Sequence, residues 1–181
     1  MDVEIIYVIV GIIVFIGVAL WLFLKNEGDT VIVAKTGQRT PFELEEITQD
    51  SVTFKTKVEF ANIGRQCGTI MDCYVRTLLP YEQFDGVKAA GKAEWDQAPR
   101  EDDYFEALLI QKKQSVQVFV KVKLTARKSQ DIKEALSQMV DLSLDLVYQH
   151  TGRHPWQISK ERIVLTAEEI ANLAGVTLAK D

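Results

Sequence analysis

The chain has 181 residues and a net charge of −5, of which the first 29 residues carry −3 through Asp2, Glu4, Glu27 and Asp29 against Lys25. The remaining 20 basic and 22 acidic side chains nearly balance, which argues against a phosphate-tracking surface, so nucleic acid is not an expected partner. Two cysteines exclude a disulfide-dense secreted scaffold, and the roughly 150 residues after the apolar start suffice for one domain with its own core.

The first element is the strongest. Ile5 to Leu24 form an uncharged, almost wholly apolar run, and at about 1.5 Å per residue such a helix spans the ~30 Å hydrocarbon layer of a bilayer. Tyr7 and Trp21 lie near its two ends and Lys25 closes it, the arrangement of residues that anchor a span at the headgroup level. A cleaved signal peptide needs a basic start, a shorter apolar core and a small-x-small cleavage site. Asp2 and Glu4 precede the run instead, and Leu20-Trp21-Leu22-Phe23-Leu24 offers large side chains, so an uncleaved single-pass anchor in the cell membrane, with lipid as a partner, is expected. Lys25, Lys35 and Arg39 follow the helix and no basic residue precedes it, which favours a cytoplasmic domain. Long domains translocate largely regardless of such charges, and an extracytoplasmic domain is the alternative. Gly11 and Gly17 are six apart and do not make the Gly-x-x-x-Gly dimerisation motif.

Beyond a short linker, period-two alternation marks strands with one buried face. Val52, Phe54, Val58 and Phe60 alternate with Lys55, Lys57 and Glu59; Val116, Val118, Val120, Val122 and Leu124 alternate with Gln117, Lys121 and Lys123. The stretch Val140 to Leu146 alternates Val and Leu with Asp141, Ser143 and Asp145. Shorter strand candidates are Val31 to Ala34, Phe42 to Ile47, Tyr104 to Ile110 and Gln157 to Thr166. The Asn62-Ile63-Gly64-Arg65 segment reads as a turn reversing the chain into a second strand, with Cys67, Met71, Cys73 and Val75 facing the core. If the intervening residues run as a strand, six steps hold Cys67 and Cys73 about 20 Å apart, too far for a disulfide, so both read as core residues; a disulfide or metal pair requires the chain to fold back between them. Gly86 to Asp103 has no hydrophobic periodicity and reads as a long loop.

Two helix starts are signed by capping residues. Asp131 with Glu134 precedes an Ile132, Leu136 and Met139 stripe; Thr166 with Glu169 opens a helix that Gly175 stops. The whole is expected to be an all-β sandwich of about seven or eight strands with two short helices behind one transmembrane helix. The expected boundaries are an N-terminal tip at 1–4, the helix at 5–24, a linker at 25–29, the sandwich at 30–166 and a C-terminal helix and tail at 167–181.

The run Val58-Glu59-Phe60-Ala61-Asn62-Ile63-Gly64, followed by Gly68-Thr69-Ile70 and Asp72, resembles the strand, Asn-x-Gly turn and strand of immunoglobulin-like domains of the fibronectin type III or LEA-like kind. The Cys, Trp, Cys pattern of antibody domains is absent, so no disulfide and no tyrosine corner carry over. The resemblance implies a binding or structural module.

Motifs of chemistry are missing. There is no P-loop, no dinucleotide fingerprint, no Gly-x-Ser-x-Gly and no His-Glu-x-x-His. His150 and His154 sit beside Gly152 and Pro155, which makes them solvated turn residues short of a zinc site. Glu101, Asp102 and Asp103 lack the glycine-punctuated spacing of a calcium loop. No catalytic, cofactor-binding or metal-binding residue is therefore expected, and no cofactor. Trp95 and Trp156, with Arg100, are the candidate partner-binding residues, Trp95 because it stands in the long loop. The expected role is a membrane-anchored protein-interaction or structural module. The alternatives are an accessory subunit of a multi-subunit membrane complex, and, disfavoured, a membrane-tethered enzyme. Partner proteins are expected in either of the first two cases.

Overall fold

The computed structural model describes residues 3–82, 84–100, 102 and 104–179. Asp2, Glu101 and Asp103, which belong to the acidic tip and the acidic cluster, lie outside the described residues.

The apolar run forms helix α1 (Val3–Glu27). It is long and apolar enough to cross a membrane, and its apolar window is not buried inside the molecule. It extends beyond Leu24 into the expected linker, and Gly28, at φ +66°, ends it in the left-handed conformation that glycine adopts without steric penalty.

Among the described residues nine strands follow: β1 (Ile32–Ala34), β2 (Glu43–Ile47), β3 (Ser51–Asn62), β4 (Gly68–Leu78), β5 (Val87–Trp95), β6 (Leu108–Ile110), β7 (Ser115–Ala126), β8 (Leu142–Thr151) and β9 (Gln157–Leu165). The first sheet has the order β1-β3-β7-β5, with β2 pairing the same edge of β3 as β1; the second has the order β6-β4-β8-β9. Every pairing is antiparallel. With β1 and β2 sharing the position of the first strand and the short β6 set aside, this is the ABED and CFG partition of an immunoglobulin-like sandwich. The core lies between the sheets, where Phe54, Phe60, Val118, Val120, Val122 and Leu124 of the first meet Ile70, Leu144, Leu146 and Leu165 of the second. Phe60 meets Tyr148 edge to face, with ring centroids 5.0 Å apart.

Helix α2 (Ile132–Leu136) closes one end of the sandwich, its first turn capped by the Asp131 carboxylate accepting from the Lys133 N–H. Helix α3 (Ala167–Ala174) carries the full Thr166–Glu169 capping box and stops at Gly175 in the left-handed conformation. Ile170 and Ala174 belong to the same core as the strands, so α3 is an integral part of the sandwich.

Four expectations are corrected. Val87–Trp95 is a strand rather than part of a long loop. Its inward set is Val87, Ala89, Gly91 and Ala93, too small to register as a hydrophobic alternation. Small residues are required there, because a Cβ on Gly91 would come within 2.6 Å of Val75 Cγ1 and 2.7 Å of the Val75 carbonyl. The Asn62–Arg65 turn does not make a hairpin: β3 and β4 belong to different sheets, and the turn carries the chain across the sandwich. Cys67 and Met71 do not face the core; both are exposed. A bulge at Met71, between Ile70 and Asp72, shifts the register by one residue, so Ile70, Cys73 and Val75 are the buried set. Finally, β8 begins at Leu142, leaving Val140 exposed, and runs to Thr151. His150 is therefore a buried strand residue and only His154 lies in the turn.

Candidate functional site

Two regions carry the features that a fold alone does not require. The first is the end of the sandwich from which α1 emerges. Residues 28–31 thread between the β3–β4 turn (63–67) and the β8–β9 turn (152–156). The main chain is held on one side by Arg65 N–H donating to the Asp29 carbonyl and Ile63 N–H donating to the Val31 carbonyl, both at 2.9 Å. On the other side the Asp29 carboxylate accepts from Arg153 N–H at 2.9 Å and His154 N–H at 3.2 Å, besides Thr30 N–H at 2.7 Å. Burial works against the Asp29 charge, but these three N–H donors and the neighbouring His154 ring outweigh it and hold the carboxyl below its usual range.

Glycines make this close approach possible. A Cβ on Gly64 would collide with the Asp29 carbonyl and the Val31 nitrogen, and one on Gly68 or Gly152 would collide with the Thr30 side chain. Asn62, 1% exposed, is the centre of the clamp. Its Oδ1 accepts from Gly64 N–H at 3.0 Å and Val31 N–H at 3.3 Å, while its Nδ2 donates to the carbonyls of Gln66 at 2.8 Å and Ile110 at 3.1 Å. A carboxamide satisfies this geometry because it has two donors and an acceptor with two lone pairs.

The domain also reaches back to the last turn of α1. Arg65 Nη1 donates to the Asn26 carbonyl at 2.7 Å, Arg153 Nη1 to the Leu24 carbonyl at 3.4 Å, and Gln66 Nε2 to the Glu27 carboxylate at 2.6 Å. Terminal carbonyls of a helix lack intrahelical partners and favour positive charge, so two guanidiniums cap this end. Helix and sandwich are joined by a structured clamp.

The second region is the outer face of the second sheet, best understood against that of the first. On the first sheet the outward side chains neutralise one another. Lys121 pairs with Glu94 at 2.6 Å and Glu45 at 2.9 Å, Lys57 with Asp96 at 3.2 Å, and Lys35 with Glu59 at 2.9 Å. Phe119, in the middle, lies beneath the Lys57 ammonium at 4.8 Å. Burial disfavours the Lys121 charge, yet its two glutamates raise its pKa above the ordinary lysine value.

The outer face of the second sheet is different. Leu109 on β6, Tyr74 on β4 and Ile158 on β9 are 63%, 52% and 63% exposed, and Met71 protrudes at the bulge. Registered neighbours place Val147 between Tyr74 and Lys160, and Gln149 between Asp72 and Ile158. Asp145 alone is a buried carboxylate here; Arg162, 2.9 Å away, holds it below the usual range against the effect of burial, with Lys160 at 3.4 Å assisting. The face thus joins protruding apolar side chains to Arg76, Lys160 and Arg162.

The residues singled out from the sequence fall in separate places. Tyr7 and Trp21 are exposed on α1, with the Lys25 ammonium 5.0 Å from the Trp21 ring centroid. Trp95 is half-buried at the end of β5 and packs on the core. Arg100 is engaged by Asp102 at 2.8 Å and Glu106 at 3.2 Å, which raise its pKa. Trp156 precedes β9 and is 59% exposed. The structure thus separates them: Trp95 ends a strand of the first sheet, and Trp156 lies in the turn before β9. Reasoning from sequence missed the clamp, whose signal was the Asn-x-Gly step itself, and missed Tyr74, Leu109 and Ile158, whose signal was an apolar side chain in the outward phase of a strand.

His150 Nε2 lies 3.0 Å from Ser159 Oγ. Burial lowers the imidazole pKa, and its ring stacks at a tilt on Tyr148, 5.5 Å between centroids. Among the described residues no cluster of three or more His, Cys, Asp or Glu side chains has the arrangement of a metal site.

No family model matches the chain, and no curated protein matches it. Among solved structures, it is similar to the GAE domain of GGA2p from Saccharomyces cerevisiae, at 8% identity over 76% of this chain and 98% of that one, with a TM-score of 0.37. It is also similar to a protein from Archaeoglobus fulgidus, at 7% identity over 74% and 97%, TM-score 0.38. The GAE domain of yeast GGA1 gives 9% identity over 71% and 98%, TM-score 0.31. At this level of similarity neither partner nor activity transfers; the two-sheet sandwich stands on the chain's own strand pairing.

Proposed function

We propose that this protein is a single-pass membrane-anchored interaction module that holds a partner protein beside the bilayer on the outer face of its second sheet. The observation that carries this reading is the contrast between the two outer faces. One is closed by ion pairs, whereas the other presents Tyr74, Leu109 and Ile158 with basic residues around them. Exposed aromatic and aliphatic side chains bordered by Arg are the composition of a protein-binding patch.

The anchor reading is supported by α1, whose large apolar side chains are exposed along its length and find apolar surroundings only in lipid or another helix. The clamp supports a unit made of α1 and a sandwich that includes α3. Lys25, Lys35 and Arg39 favour the cytoplasmic side for that unit.

Photo-cross-linking in intact membranes tests the assignment. A photoreactive residue at Tyr74 or Ile158 is expected to give an adduct with the partner, and one at Lys123, on the first sheet, none. Adducts arising only from positions within α1 would support the alternative, a subunit held in its complex by the helix.

A further inference from the structure

The end of the sandwich that grips α1 also carries a cluster of exposed basic side chains. Three turns meet there: 63–67, 111–114 and 152–156. Lys113, which adopts a left-handed φ of +61°, donates its N–H to the Asn62 carbonyl and its ammonium to the Ile63 carbonyl, so the second turn is tied to the first. Arg65, Lys112, Lys113 and Arg153 are exposed on these turns, and Lys25 is exposed on the last turn of α1. Within these turns and residues 25–31, five cations stand against two carboxylates, Glu27 and Asp29, and both are engaged, one by Gln66 and the other by main-chain N–H groups. In a chain of net charge −5 this concentration is local. Ile63, 54% exposed, projects from the same surface.

We propose that this surface docks on anionic phospholipid headgroups of the bilayer that holds α1, giving the sandwich one fixed pose on the membrane. The proposal rests on the anchor reading above. Its occupant follows from position and charge. Arg65 and Arg153 hydrogen-bond to Asn26 and Leu24, so they stand where α1 leaves the hydrocarbon, and the groups at that level are phosphates. The clamp over residues 28–31 holds the basic turns at that level. Each basic side chain near an anionic surface shifts the docked population by about fivefold.

Exposed Cys67 provides a reporter, since buried Cys73, whose pKa burial pushes up, stays an unreactive thiol. The full chain labelled at Cys67 is placed in nanodiscs of phosphatidylcholine alone or with phosphatidylglycerol, and quenching by a headgroup-level lipid quencher is measured. Quenching several-fold stronger with phosphatidylglycerol, reduced by high salt and by R65E, K112E and K113E together, is the expected result. Equal quenching in both lipids, or no effect of charge reversal, overturns the docking while leaving the anchor intact. Extraction of the chain from membranes by alkaline carbonate overturns the anchor and the docking together. Energy transfer between two labelled chains in one disc, without lipid dependence, assigns the surface to a second copy and overturns the proposal.

Discussion

The side-chain oxygen of Asn62 accepts a hydrogen bond from the main-chain N–H of Val31, 31 residues earlier, at 3.3 Å. Through this contact and its partner bond to Gly64, one buried carboxamide fixes both the crossing between the sheets and the chain leaving the membrane-length helix.

Asn62→Ala is expected to destabilise the domain by about 2–3 kcal/mol, because it removes four hydrogen bonds that one buried carboxamide makes to main-chain N–H and carbonyl groups. Denaturation of the full chain in detergent micelles measures this. Protease cleavage within residues 28–31 should accelerate in the same variant.

Gly64→Ala should release the linker more completely than it unfolds the sandwich, since its Cβ would meet the main chain of Asp29 and Val31. Gly37→Ala, where the added methyl meets nothing, is the control and should be neutral. Equal protease sensitivity in the two variants would contradict the clamp.

Thr30→Val should cost nothing or stabilise the protein by up to about 1 kcal/mol. The Thr30 hydroxyl is buried and finds no hydrogen-bond partner among the described residues, and an isosteric methyl removes the desolvation penalty of an unpaired polar group.

Stability is expected to fall below about pH 6.5 in a way that depends on His150. Burial lowers its pKa in the folded state from the ordinary 6.5, so the unfolded chain takes up the proton first. The neutral ring's contribution is complete above 6.5 and is lost as the pH falls toward the folded value. His150→Gln should flatten that part of the pH profile, while the loss tied to the depressed Asp29 and Asp145 carboxylates, which sets in at more acid pH, should remain.

Glu94→Ala should destabilise by about 2 kcal/mol, less than a fully buried broken pair, because Lys121 keeps Glu45. Tyr74→Glu with Ile158→Lys should leave stability within about 0.5 kcal/mol yet abolish partner cross-linking.

Long strands were legible because Val and Phe alternate with Lys over many residues, as in β3 and β7, and the α3 cap was legible because Thr166 and Glu169 act locally. β5 was not, since its inward residues are alanine and glycine, and the pressure that keeps them small comes from Val75 on the opposite sheet. The bulge at Met71 was equally hidden, for a single inserted residue moves Cys67 out of phase without altering composition.

By itself the sequence determined that a membrane-length apolar helix precedes an all-β domain, because hydrophobic run length and period-two alternation are properties of contiguous residues. Only the tertiary structure decided that Asn62 and three glycines clamp the chain beyond that helix, and that one outer face is sealed by ion pairs while the other stays open. Those outcomes depend on which distant strands become neighbours, and no local pattern carries that information.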